Sequence, residues 1–461
     1  VVLLLLRADE VSTMKLFKRL AMLAASLSDR CGIATQILPL ASSRFLPRRL
    51  TDLPQAKLRA SSHESGVVAK GFEVVDLASG ASSADTPAVL KDAAVAAINA
   101  GHNQYGQANG DLELRQLYAQ RLAKSTGVAI DAQSEVTVVG GTSSALACVL
   151  LATIDAGDEV IVFAPYFEGY LQAIAVAQGV ARPVALANQP SVGFAALPGA
   201  VMQNWTIDET ALRAAITPKT RAIIVNSPHN PTGRVFTADE LAIVADIARE
   251  HDLLVVSDEI YSTLVYGQHK HVSVLSLPGM QERSVVIEGL SKTHNASGWR
   301  IGLITAPPAI TGNVRRFVAA LGVSAPAPLT VASRLAFDGS DVPQTVALAQ
   351  ALAAQTTELE GNGAILRAAL LRRGFAVSEP QGATYLFANL LGGGFDADGD
   401  LPGHLLSEYG IKVSPGTAFF GDEEGNVWVR FCFARSRTTI EEAQSRLLLK
   451  KLAPSSITSA T

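Results

Sequence analysis

The sequence predicts an α/β protein: a large domain on a mostly parallel β-sheet covered by helices, then a smaller α+β domain. Three observations predict it. Short, continuous, β-branched apolar runs recur from residue 135 onward, and helical periods separate several of them. After about residue 335 this alternation gives way to one long helix and a few short strands. Continuous apolar strands mark a sheet buried on both faces, as parallel sheets between helices are. The 461 residues suffice for two or three folding units. With 48% hydrophobic and 17% charged residues, the chain is not chiefly disordered. A net charge of −4 offers no basic field to a nucleic-acid backbone.

Taken in order, the chain begins with a stretch set apart from the fold. Residues 1–44 read as an extension or targeting segment, expected to be poorly ordered. From Met14 to Leu50 there are seven basic residues against one acidic residue, Asp29. That composition suits an organellar transit segment, and an upstream extension without address function fits as well. The expected location is the cytoplasm, or an organellar matrix or stroma if the segment is a transit peptide. Residues 45–89, extended and Pro-punctuated, are expected to pack with the small domain.

The large domain, 90–334, opens with helices at 92–99 and 112–124. Its strands are predicted at 135–139, 159–163, 221–226, 253–257, 284–288 and 302–305, with helices at 145–151, 171–178 and 238–250. The small domain, 335–452, has a long helix at 343–373, weakened by Gly361 and Gly363. Strands at 376–377, 383–387 and 427–433 and a last helix at 439–449 follow. Residues 196–199 read as a loop and 453–461 as a frayed tail. The uncharged stretches 136–154 and 317–333 are broken by Gly140-Gly141 and by Pro326 and Pro328, so they read as buried core and no membrane partner is expected. Cys31, Cys148 and Cys432 lie too far apart for a CxxC site or a disulfide framework, and no metal is expected.

In such sheets ligands bind beyond the carboxyl ends of the strands. Unusual residue types collect there. Ser227-Pro228-His229-Asn230-Pro231-Thr232-Gly233 follows one strand, and Ser257-Asp258-Glu259-Ile260-Tyr261 ends another. Gly289-Leu290-Ser291-Lys292-Thr293-His294 runs on to Gly298-Trp299-Arg300, and Val429-Arg430-Phe431 stands in the small domain. Singly, each has a plain explanation: a turn, a helix cap, a solvated charge. Gly140-Gly141-Thr142-Ser143-Ser144 between a strand and a helix can present free N–H groups to an anion.

Together and in this order, these segments resemble the class I/II aminotransferases, fold-type I enzymes that use pyridoxal 5′-phosphate, and their aspartate/aromatic branch most. The resemblance covers residues from about 45 to 450 and implies a seven-stranded large sheet. It implies that Lys292 holds the cofactor aldehyde and shuttles the proton, that Asp258 pairs with the ring nitrogen, and that Tyr261 and Asn230 donate to the ring oxygen. Gly141, Thr142, Ser143 and Arg300 would take the phosphate, with Phe167 stacked on the ring. Tyr105 would reach the phosphate of a neighbouring subunit, which implies a homodimer with a shared active site. Arg430 would clamp the substrate α-carboxylate, with a backbone N–H from Gly80. His294 reads as a local packing residue. The family often has Ser three residues before the Lys, where this chain has Gly289, so one phosphate contact is expected to be missing or replaced and cofactor affinity to be lower. The implied reaction moves an amino group between an L-α-amino acid and a 2-oxo acid such as 2-oxoglutarate. A C–S lyase or aminocyclopropane-carboxylate synthase would share these residues. A non-catalytic regulator on the same scaffold would need a DNA-binding part, which residues 1–60 do not supply.

Overall fold

Valine and isoleucine side chains that cannot all face one side of a strand force the larger sheet inside. Val138, Val139, Val160, Ile161, Val162, Ile223, Val255, Val256, Val285 and Leu303 have no solvent exposure. Each contributes about 1.5–3 kcal/mol by leaving water. The computed structural model describes residues 53–54, 73–194, 197–391, 400–421 and 423–449. The expectations for residues 1–44, for 45–52 and 55–72 and for the tail at 453–461, like Cys31, lie outside the described residues.

The first strand, β1 (Val75–Asp76), precedes helices α1 (Ala88–Asn99) and α2 (Leu112–Thr126). Strands and helices then alternate through β2 (Val136–Val139), α3 (Thr142–Thr153), β3 (Glu159–Ala164), α4 (Gly169–Val176) and β4 (Val180–Ala185). An antiparallel pair, β5 (Ala187–Phe194) and β6 (Leu197–Thr206), interrupts the alternation before α5 (Glu209–Ala215). It resumes with β7 (Thr220–Asn226), α6 (Ala238–Glu250), β8 (Leu254–Asp258), β9 (Ser284–Gly289), the single-turn α7 (Leu290–Thr293) and β10 (Gly302–Thr305). Helices α8 (Pro308–Leu321) and α9 (Ala327–Ala332) lead to the 30-residue α10 (Pro343–Arg372). The last elements are β11 (Ala376–Ser378), β12 (Tyr385–Asn389), α11 (Leu401–Tyr409), β13 (Ile411–Lys412), β14 (Ser414–Pro415), α12 (Thr417–Phe420), β15 (Trp428–Cys432) and α13 (Arg437–Leu449).

The larger sheet has seven strands in the order β2-β10-β9-β8-β7-β3-β4, parallel except for β10. Local chemistry sets the helix ends. Asp111 accepts the Leu114 N–H at 2.8 Å to start α2, and Gly127, at φ 75°, ends it. Thr237 and Glu240 form a reciprocal capping box at α6.

One reading of the sequence is corrected and one strand escaped it. Residues 197–199 lie in β6, not in a loop. The β5 partner and β11, which pairs with β6 in parallel, satisfy its backbone, and a register shift between Val192 and Phe194 accommodates Pro198-Gly199. Strand β4 carries no strand signal in the sequence, because it is an exposed edge holding Arg182 and Pro183. Helix α10 runs as one helix through Gly361 and Gly363. Gly363 packs against the Phe433 ring, which a Cβ there would meet at 3.4 Å.

The smaller sheet runs β14-β15-β12-β11-β6-β5, so a hairpin inserted in the α/β part extends it. Strand β1 pairs with β13. No helix among the described residues is long and apolar enough to cross a membrane.

Candidate active site

Strands β7, β8 and β9 end side by side, with Asn226 opposite Asp258 and Asp258 opposite Ile287. Their parallel register therefore delivers the polar residues that follow each strand to one edge. There a cavity of about 330 Å³ is lined by ten of the twelve residues singled out in the sequence: Gly80, Thr142, Ser143, Phe167, Asn230, Asp258, Tyr261, Lys292, Arg300 and Arg430. Gly141 sits just behind the wall. Tyr105 is fully exposed and does not line the cavity.

Lys292 ends its reach at the Gly80 carbonyl oxygen, to which Nζ donates at 2.7 Å. The single turn carrying it is braced from α10, where Gln355 Nε2 approaches the Thr293 carbonyl at 3.4 Å. His294 is part of this packing. Its Nδ1 lies 2.8 Å from Thr293 Oγ1, and burial pulls its pKa down to about 4, so it is neutral near pH 7.

Asp258 is partly open to the cavity. Desolvation raises its pKa to about 6, against the Tyr170 hydroxyl, which donates to Oδ2 at 2.8 Å, and the Ile260 N–H. Asn226 locks the same corner, donating to the Asp258 carbonyl at 2.8 Å and accepting the Asn230 N–H at 2.8 Å. Tyr261 follows Asp258 in a stretch of turns, with Ser262 N–H on Glu259 O and Leu264 N–H on Tyr261 O. Its hydroxyl lies 2.9 Å from that of Tyr385, and burial pushes its pKa well up.

Another part of the wall joins a helix start to a guanidinium. Gly141, at φ 93°, caps α3, and a Cβ there would lie 2.3 Å from Arg300 Nη2. Only glycine lets the guanidinium lie against the chain at the free N–H end of a 12-residue helix. Gly289 also has a steric reason. A Cβ would come 2.6 Å from the Ile301 carbonyl oxygen and 3.0 Å from Thr142 Cγ2. Nearby, the buried Ser291 hydroxyl has no hydrogen-bond partner among the described residues.

Arg430 is buried between Tyr385 and Phe419, its guanidinium 4.2 and 4.9 Å from their ring centroids. It donates to Asn230 Oδ1 at 2.9 Å, to the Ala78 carbonyl at 3.0 Å and to Ser414 Oγ at 3.2 Å. Its Nε has no partner among the described residues. Phe167 lines the cavity with its ring edge-on to Tyr170, 5.5 Å between centroids.

Sequence reasoning missed Tyr170, Asn226, Tyr385 and Ser414. Asn226 carried a signal, a polar residue closing an apolar strand. The two tyrosines carried none, because each stands in a run that reads as ordinary core.

The donor set fits pyridoxal 5′-phosphate: helix start and guanidinium, free Ser291 hydroxyl, desolvated carboxyl and lysine amine surround one space. Fold and cavity define the class, a fold-type I enzyme dependent on that cofactor. The chain belongs to the aminotransferase class I and II family, which residues 73–447 match. It is 33% identical over 393 residues to a probable N-succinyldiaminopimelate aminotransferase of Mycobacterium tuberculosis, covering 83% of this chain and 94% of that protein. It is 32% identical over 410 residues to the aspartate aminotransferase of Geobacillus stearothermophilus, covering 87% and 98%. The solved structure of the N-succinyldiaminopimelate aminotransferase from Mycobacterium tuberculosis superposes with a TM-score of 0.78 at 32% identity, covering 87% of this chain and 99% of that one. The chain is thus a transaminase that exchanges an amino group between amino acids and 2-oxo acids.

Proposed function

We propose that the cavity at the ends of β7, β8 and β9 is the transamination site. The observation that carries this reading is that the Lys292 amine, the Asp258 carboxyl and the buried Arg430 line one cavity although they come from three separate segments. When bound, pyridoxal phosphate supplies a cationic ring that takes up the electron pair left at the substrate α-carbon. Lys292 holds the cofactor and moves the proton to and from that carbon. Asp258 accepts from the ring nitrogen and keeps it protonated, with Tyr170 orienting the carboxylate. Tyr261 donates to the ring oxygen. Asn230 does the same with its NH₂ group, since its carbonyl oxygen is taken by Arg430. Arg300, Thr142, Ser143 and the α3 N–H groups would hold the phosphate, Gly141 would allow the close approach, and Phe167 would pack against the ring.

Arg430 and the Gly80 N–H bind the substrate α-carboxylate. The substrate is an L-α-amino acid of the aspartate or aromatic type, and 2-oxoglutarate serves as acceptor. The working unit is a homodimer, in which the exposed Tyr105 of one protomer completes the phosphate site of its partner. The deciding experiment follows the two half-reactions spectroscopically. An amino acid should convert the bound cofactor to its amine form, and 2-oxoglutarate should return it. Release of ammonia or thiol without that cycle would point to a lyase instead. Lys292→Ala should fold normally yet lose the visible absorption of the covalently held cofactor.

A further inference from the structure

Six consecutive carbonyl groups of the segment 76–81 are divided between two faces. Toward the cavity, Ala78 O accepts from Arg430 Nη2 at 3.0 Å and from Ser414 Oγ at 3.0 Å, and Gly80 O accepts from Lys292 Nζ at 2.7 Å. Leu77 O accepts the Cys432 N–H at 2.8 Å. The other three, Asp76 O, Ser79 O and Ala81 O, all accept from one side chain, Arg435, at 2.6, 2.7 and 2.7 Å. The same guanidinium donates to Ala434 O at 2.9 Å. Beyond these backbone oxygens the guanidinium also reaches Cys432 Sγ, 3.7 Å from Nη1.

The segment is anchored at its start by the β1–β13 pairing, which the Leu77 N–H continues by donating to Lys412 O at 2.8 Å; beyond Leu77 its N–H groups find only local acceptors. Asp76 Oδ1 accepts from the Ala78 and Ser79 N–H groups, and Ser79 Oγ from the Ala81 N–H. A planar fork of five donors can gather three carbonyls at fixed angles, which an ammonium on a flexible stem cannot. Because Ser79 O and Ala81 O turn toward Arg435, the Gly80 peptide between them turns the other way, into the cavity. A Cβ on Gly80 would lie 2.7 Å from the Tyr385 hydroxyl, so a side chain there would displace that ring.

We propose that Arg435 is a positioning residue for substrate-carboxylate recognition: it fixes the segment 76–81 so that Ala78 and Gly80 stay in place against Arg430 and Lys292. This rests on reading Arg430 and Gly80 as the carboxylate site. The carboxylate is held alike in ground and transition states, so loosening its site raises KM and spares kcat.

The test compares Arg435→Gln and Arg435→Lys with the wild type. In Arg435→Gln, KM for both the amino donor and 2-oxoglutarate should rise about tenfold, with kcat changed less than about threefold. Cofactor affinity, read by absorbance titration, should stay within about twofold. Backbone amide exchange across 76–83 should speed up in the cofactor-free protein, where no turnover is involved. Arg435→Lys, which keeps the charge and carries the test if the Gln variant does not fold, should recover only part of the KM. An unchanged KM in either variant overturns the proposal, as does full recovery by lysine or a parallel loss of cofactor affinity. If the wild type itself fails to interconvert amino and oxo acids, the reading of the cavity falls. Faster exchange confined to 76–83 then still shows the hold on the segment.

Discussion

The Tyr170 hydroxyl donates to Asp258 Oδ2 at 2.8 Å, joining the first turns of α4 to the end of β8 across 88 residues of sequence. The bond holds a carboxyl group that the cavity desolvates, so the group is aimed before any ligand arrives. Such a group costs stability and is kept for what it does.

Asp258 should make the cofactor-free protein less stable than its asparagine variant, and only above acid pH. Its pKa rises from 3.8 to about 6 through burial, so the fold favours the protonated form. Well below pH 3.8 the carboxyl is neutral in folded and unfolded chains alike and costs nothing extra. As pH climbs through 3.8 toward 6 the unfolded chain ionises first, and the folded state loses ground. Asp258→Asn should therefore match the wild type near about pH 3 and exceed it at about pH 7 by roughly 1–3 kcal/mol, while binding the cofactor more weakly. Denaturant unfolding at the two pH values checks this, and an equal difference at both would contradict it.

Arg430→Lys should raise KM for every α-amino acid and every 2-oxo acid by roughly 10–100-fold, a loss of about 1.4–2.7 kcal/mol. Lysine can replace neither the donor to Asn230 nor the unpartnered Nε together with the rest of the fork. A substrate panel reads the outcome. An effect confined to one side chain would place Arg430 in specificity rather than carboxylate binding.

Gly289→Ser, which restores the residue often found in the family, should harm this protein. The new Cβ would stand 2.6 Å from the Ile301 carbonyl oxygen, and that backbone leads directly into β10. A loss of about 1–3 kcal/mol is expected from thermal or denaturant unfolding, with no gain in cofactor affinity. A tighter cofactor complex at unchanged stability would show that the strands part easily.

Tyr105→Ala and Lys292→Ala should each be inactive or nearly so as pure proteins, yet regain activity when refolded together. A mixed dimer would hold one cavity with its own Lys292 and the tyrosine from the other protomer, which is a complete site. Failure of any mixture to exceed the parents would rule out sharing of Tyr105, and sedimentation would report the oligomeric state directly.

The lysine turn, the Asp258 strand end, the Asn230 turn and the glycine-led start of α3 were all legible in the sequence. Each is a local event, a continuous apolar strand followed at once by a polar or glycine-rich stretch, and burial on both faces of a parallel sheet forces that pattern on neighbouring residues. Tertiary structure alone decided the rest. Tyr170 meets Asp258, Tyr385 meets Tyr261 and Arg435 gathers the carbonyls of 76–81 only because distant segments cross at one end of the sheet. The β5–β6 pair joins the smaller sheet because its backbone finds β11, a partner some 170 residues away, and no composition within the hairpin records that. Local composition thus specifies which residues stand at strand ends. Which of them touch depends on long-range register and packing, which belong to the fold as a whole.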